Sequence, residues 1–347
     1  MTQNTEIPYL IALTHSSGLR IEQINALLVK IIHEKQATIE TFFQMSEVAW
    51  SADYCLDDKT LLGVKAAKTE LPNSSFIAED LLAQGFEVVP IFSPEYSPTL
   101  KANLKAKSSP PILYVKGNKQ ILQEESIAIV GSRGASDISL KFTDNMAKIA
   151  SEKYKVVVSG FAKGVDKQAL DSTLKYKGHS IIVLPQGIMT FESGIKKYYT
   201  QIIEGDVLVL STFFPMAPWS VQLAMGRNPY IYGLAKNIFV AESGPDGGTW
   251  SGVIDGMRKG RIIYVRNPEL GESNSNLKLI DKGAIPVDFD GKEIEVVRAM
   301  VSEPDSEYST GPSEKKPPRD NAKKARKRKD KKQTEPTQDS TPELPFS

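Results

Sequence analysis

The chain has 347 residues, 40% of them apolar, with 43 basic and 42 acidic side chains, enough for about two domains around a substantial core. One cysteine, Cys55, excludes an internal disulfide framework and a multi-cysteine metal site, and His15, His33 and His179 lack ligand spacing, so neither metal nor cofactor is expected. The charge balance hides an asymmetry: residues 313–347 carry 11 basic and 6 acidic groups, leaving 32 and 36 elsewhere, so any nucleic-acid site in the body must be a local pocket rather than a broadly basic face.

From Pro8 to Glu70 apolar residues such as Ile21, Ile24, Leu27, Leu28 and Ile31 recur every three or four positions, which predicts a small helical domain over 1–75. It is expected to be SAM- or helix-hairpin-helix-like; the turn at 15–20 reads first as a plain interhelical turn, the alternative being a helix-hairpin-helix that cups a phosphate. Strand signals follow at Phe86–Ile91 and Ile112–Asn118. Six β-branched runs, at 126–131, 155–159, 180–184, 206–211, 237–241 and 261–265, then alternate with helix-length segments such as Asp137–Ser151, Asp166–Lys175 and Gly252–Lys259. That alternation predicts an α/β fold, a Rossmann-like, doubly wound, mostly parallel sheet over 76–292. Residues 293–347 read as a disordered basic tail with an acidic, then apolar, tip at Pro342–Ser347. No leader pattern and no membrane-length apolar run occurs, so a cytoplasmic protein without membrane association is expected.

The first two of those six strands end in similar turns. Gly131-Ser132-Arg133 supplies close backbone approach, a hydroxyl and a guanidinium. Ser159-Gly160 leads to Lys163-Gly164 after the next strand. Adjacent parallel strands bring such turns together at the carboxyl edge of a sheet, where helix N termini and cations suit phosphate. Ser136 or Asp137 would cap the first crossover helix and Asp166 the second. A third Gly-containing turn, with Gly247, Gly248 and Thr249, offers further donors. Arg227-Asn228 follows an irregular Pro-rich stretch with Phe213, Phe214, Trp219 and Tyr230 nearby, read mainly as core or interface residues. In the tail, Lys323, Lys324, Arg326, Lys327, Arg328 and Lys329 suit salt-sensitive phosphate contacts.

The motifs IAIVGSRGAS, VVVSGFAKGVDKQAL, GHSIIVLPQG, GRNPYIYGLA and AESGPDGGTWSGVIDGMRKGRIIYV, in this order, resemble the DNA-processing protein A (DprA, Smf) family from about residue 85 to 290. The resemblance implies a non-catalytic, dimeric binder of single-stranded DNA that protects it and helps load the RecA recombinase, as in natural transformation. Residues matching the family's pocket are Gly131, Ser132, Arg133, Ser159, Gly160, Lys163, Gly164, Arg227 and Asn228. The chain departs from the pattern at Leu170, Gly187-Ile188-Met189, Thr212 and Pro229, and 291–347 reads as too short and polar for the family's winged-helix module.

An alternative from another class stays open: a nucleotide-sensing or nucleotide-cleaving protein, phosphoribohydrolase-like and of the kind used in antiviral defence. Its glycine loop resembles 247–249, but the usual carboxylate just beyond is missing, since Asp255 lies six positions on. Glu242 would have to serve as the acid/base group. No catalytic residue is assigned.

Overall fold

Residues 4–295 are described, by a computed structural model. The three- and four-residue spacing of the N-terminal apolar residues folds into α1 (Ile7–His15), α2 (Ile21–Val29), α3 (Ile39–Gln44), α4 (Glu47–Tyr54), α5 (Asp58–Thr69) and α6 (Leu71–Ala83). Short polar residues start three of them: Thr38, Ser46 and Asp57 each accept a hydrogen bond from the backbone N–H three residues on. The turn at 15–20 packs against α5, where a Cβ on Gly63 would come within 2.7 Å of Leu19 and 2.8 Å of the Ser17 carbonyl. It is an interhelical turn packed on one side, with Gly18 and Arg20 exposed on the other.

There follow β1 (Glu87–Pro90), α7 (Pro98–Ser108), β2 (Ile112–Lys116), β3 (Ser126–Gly131), α8 (Asp137–Glu152), β4 (Val156–Ser159), α9 (Val165–Lys175) and β5 (Ser180–Val183). The chain continues through α10 (Glu192–Lys197), α11 (Tyr199–Glu204), β6 (Val207–Ser211), α12 (Val221–Leu234), β7 (Asn237–Glu242), α13 (Gly247–Arg258), β8 (Ile263–Arg266), α14 (Asn276–Asp281) and β9 (Ile285–Val287). The nine strands form one sheet in the order β1-β2-β6-β5-β4-β3-β7-β8-β9. Every pairing is parallel except β1 with β2 and β2 with β6. The Rossmann-like reading therefore holds, with an antiparallel pair added at one edge. Strands β4, β5 and β6 are buried along their whole length, which explains why they read as unbroken β-branched runs rather than alternating ones.

One cluster of buried apolar residues runs from Ile7 and Trp50 through β2, β5 and β6 to Ala284, so the helices ahead of β1 share a core with the sheet. His15, at the end of α1, reaches across to β2, where its Nε2 lies 2.9 Å from Tyr114 Oη. Its ring also stacks on Tyr114 and meets Phe214 edge-on. No helix among the described residues is long and apolar enough to cross a membrane.

One local expectation is met and one is corrected. The irregular Pro-rich stretch ends at Ser220, whose Oγ accepts from Leu223 N, and Arg227 lies beyond it inside α12, which also holds Pro229. A proline there removes the bond to the carbonyl four residues back, yet the helix survives because packing of its neighbours outweighs one lost ladder bond. The N-cap of α9 is Gly164, not Asp166, which lies inside the first turn and is buried.

Candidate nucleic-acid interface

The carboxyl ends of β3, β4 and β5 open into a cavity of about 360 Å³ lined by Arg133, Gly160, Phe161, Ala162, Lys163, Pro185, Gln186, Thr190, Phe191, Ser193, Trp219, Ala224 and Arg227. Three cations and no carboxylate line it. Arg133 and Lys163 are exposed, and neither has an ion-pair partner among the described residues. Two exposed cations without a carboxylate partner at the cavity mouth suit an anion.

Arg227 is different. It is only 5% exposed, and its Nη1 donates to the carbonyls of Gly160 at 2.5 Å and Val183 at 2.8 Å, tying together the ends of β4 and β5. Asp166 lies behind it, 3.9 Å from Nη2. Burial raises the Asp166 carboxyl above its usual range despite the opposing pull of Arg227 and of backbone bonds at Ala162 and Gly160. Burial likewise lowers Arg227, with Arg133 adding like-charge repulsion. Arg227 thus sits at the cavity floor with both Nη1 donors held internally and its buried Nε without a hydrogen-bond partner among the described residues.

The remaining glycines and serines build the turns. A Cβ on Gly160 would overlap the Arg227 guanidinium, so only glycine lets that side chain in. One on Gly164, whose φ is +77°, would strike the Ser132 and Arg133 carbonyls, which shows how tightly the two turns abut. Gly131 packs on Val165, where its Cβ would lie 2.9 Å from that residue's Cβ. Ser159 Oγ donates to the Ile129 carbonyl, and Ser132 N donates to the Glu242 carbonyl. Phe161 has a φ of +65° and is held by edge-on contacts to Phe191 and Tyr198. A non-glycine residue in that conformation in a cavity-lining turn is a strain that the packing sustains.

The other predicted residues lie elsewhere. Asn228 Nδ2 donates to the Gly248 carbonyl at 3.2 Å, and Asn228 lines a separate cavity of about 200 Å³ between α7, α12 and α13. Gly247, Gly248 and Thr249 form the first turn of α13 and do not line the cationic cavity. Lys323, Lys324, Arg326, Lys327, Arg328 and Lys329, with the tip at 342–347, lie outside the described residues.

Sequence reasoning aimed the N terminus of α8 at the phosphate, but the structure places an internal anion there. A register shift after Val130 pairs Gly131 with Glu242. Glu242 Oε2 then accepts from Ser136 N at 2.9 Å, Ser136 Oγ at 2.7 Å and Ser139 Oγ at 2.8 Å. The crevice between β3 and β7, where the strand order reverses and open α/β sheets usually take their ligand, is filled by this carboxylate. Three donors on one oxygen also leave Glu242 badly placed as an acid/base group. Glu242→Gln is expected to destabilise the chain by about 1–3 kcal/mol, since a neutral amide loses charge-assisted bonds; thermal unfolding of the variant checks it.

Comparison with known proteins agrees with the architecture. The chain is 31% identical over 178 residues to DNA processing protein DprA of Streptococcus pneumoniae, covering 51% of this chain and 63% of that one. It is 26% identical over 205 residues to the Bacillus subtilis DNA processing protein DprA, covering 58% and 68%. The X-ray structure of DNA processing protein A from S. pneumoniae superposes with a TM-score of 0.65 at 24% identity, over 81% of this chain and 94% of that one. A structure of DNA processing protein A from Helicobacter pylori, described for its single-stranded DNA binding mode, gives 0.50 at 22% identity, over 58% and 90%. The family model of DNA recombination-mediator protein A matches residues 87–297, more than half the chain and the whole span of the sheet, and the chain belongs to that family.

Proposed function

We propose that this chain binds single-stranded DNA through the cavity at the ends of β3, β4 and β5 and acts as a recombination mediator. The observation that carries the reading is the convergence of Arg133, Lys163 and Arg227 on a cavity without a carboxylate. Arg133 and Lys163 contact the phosphates. Arg227 holds the cavity floor, and Gly131, Ser132, Ser159, Gly160 and Gly164 shape the turns. The H. pylori relative, whose structure is described for its single-stranded DNA binding, supports the choice of ligand. In this reading the chain works in the cytoplasm as a homodimer that protects the strand and assists RecA loading, with no catalytic step of its own. Residues 323–329 add sequence-independent phosphate contacts.

The test is fluorescence anisotropy with a labelled oligonucleotide, against duplex competitor and across a salt series. Arg133→Ala and Lys163→Ala are each expected to weaken binding by roughly tenfold to a hundredfold, the scale of a charge-assisted contact. Unchanged binding in both variants would sink the assignment. Removing 313–347 is expected to flatten the salt dependence while leaving the preference for single strands.

A further inference from the structure

We infer that Trp219 is a base-stacking platform in this cavity, so that the strand lays phosphate on Arg133 and Lys163 and an unpaired base on the indole. The inference rests on the single-stranded DNA reading above. Trp219 lines the cavity, is 51% exposed and has no ring partner among the described residues. A half-exposed indole leaves a large apolar face open to solvent or to a ligand. It immediately precedes the N-cap Ser220, the position from which an apolar side chain usually packs on the fourth residue of the helix. Here that residue is Ala224, which also lines the cavity and is too small to bury the ring.

The loop that leads into Trp219 is pinned at residues 214–217. Gly187 N donates to the Ala217 carbonyl at 2.9 Å and Met189 N to the Pro215 carbonyl at 3.0 Å, while Ala217 N donates to the Phe214 carbonyl at 2.8 Å. Thr190 Oγ1 adds a fourth bond, to Ala217 O, at 3.2 Å. Gly187 is required for this contact, since its Cβ would overlap the Phe214 and Pro215 carbonyls. Prolines at 215 and 218 narrow the loop further. A pre-positioned aromatic beside unpaired cations is the arrangement that holds a single strand. The π-face takes any base, and the cations track the backbone.

Full-length chain is titrated with a labelled oligothymidylate and with an abasic strand of the same length, as parent, Trp219→Ala and Trp219→Phe, with Arg133→Ala and Lys163→Ala alongside. The parent is expected to prefer the base-bearing strand by roughly tenfold, the scale of one base stacked on an aromatic ring. Trp219→Ala should abolish that preference without weakening binding to the abasic strand, and Trp219→Phe should keep most of it. Thermal unfolding shows that each variant is folded. A parental preference retained in Trp219→Ala overturns the stacking role and leaves the cationic cavity standing. Binding of neither strand, or binding of both that ignores Arg133→Ala and Lys163→Ala, overturns the underlying reading and the platform with it. A Trp219→Ala chain that binds the abasic strand more weakly by the same factor assigns the ring to cavity structure and also overturns the inference.

Discussion

Replacing Arg227 with alanine is expected to lower the stability of the folded chain by about 3–5 kcal/mol. The side chain is buried, joins the carbonyls of Gly160 and Val183, and is the cation facing the buried Asp166. Its removal strands two acceptors and a carboxylate at once. Arg227→Lys is expected to recover only part of the loss, because an ammonium cannot reproduce a planar fork that reaches two strands. Adding Asp166→Asn to Arg227→Ala should restore some stability by deleting the unpaired charge. Gly160→Ala should resemble Arg227→Ala, since the new Cβ occupies the guanidinium's space. Lys163→Ala, at an exposed position, should leave denaturant unfolding unchanged while weakening DNA binding. Chemical denaturation of these variants separates the cation that builds the cavity from those that contact the ligand. An Arg227→Ala chain as stable as the parent would overturn that division.

The second large effect is a pH dependence centred on His15. Burial against Tyr114 and Phe214 pushes its pKa from 6.5 down to about 4. Between these values the unfolded chain takes up a proton that the folded chain refuses, so stability is lost as the pH falls from 6.5 through 4. The full shift corresponds to about 3 kcal/mol, and the ring's partial exposure reduces this to about 2 kcal/mol. His15→Gln, which keeps a hydrogen-bonding group for Tyr114 Oη, should flatten the melting temperature over that window. Equal slopes for parent and variant would place the acid sensitivity elsewhere.

The strands from β3 to β8 were legible as short apolar runs alternating with helix-length segments, and β3 and β4 also because each stops at a glycine, as Ile127–Gly131 and Val156–Gly160 show. Arg133 and Lys163 were legible because each follows such a run by a few residues. Helix α12 was not, since it contains Pro229 and borders two cavities, so no single apolar stripe marks it. The roles of Arg227 and Glu242 depend on partners 44 to 106 residues away in sequence, and local spacing carries no trace of them. The exposed position of Trp219 was equally hidden, because it follows from Ala224 being small and from the carbonyls fixed by Gly187.

The carboxylate of Glu242 at the head of α8 decides how firmly a polyanion can be gripped. A phosphate seated on a helix end is locked by rigid main-chain dipoles at one fixed point. With that seat taken by the protein's own anion, a strand bound as proposed would meet the long side chains of Arg133 and Lys163 instead. In place of a main-chain seat at that helix end, the fold offers side-chain charge that can reorient.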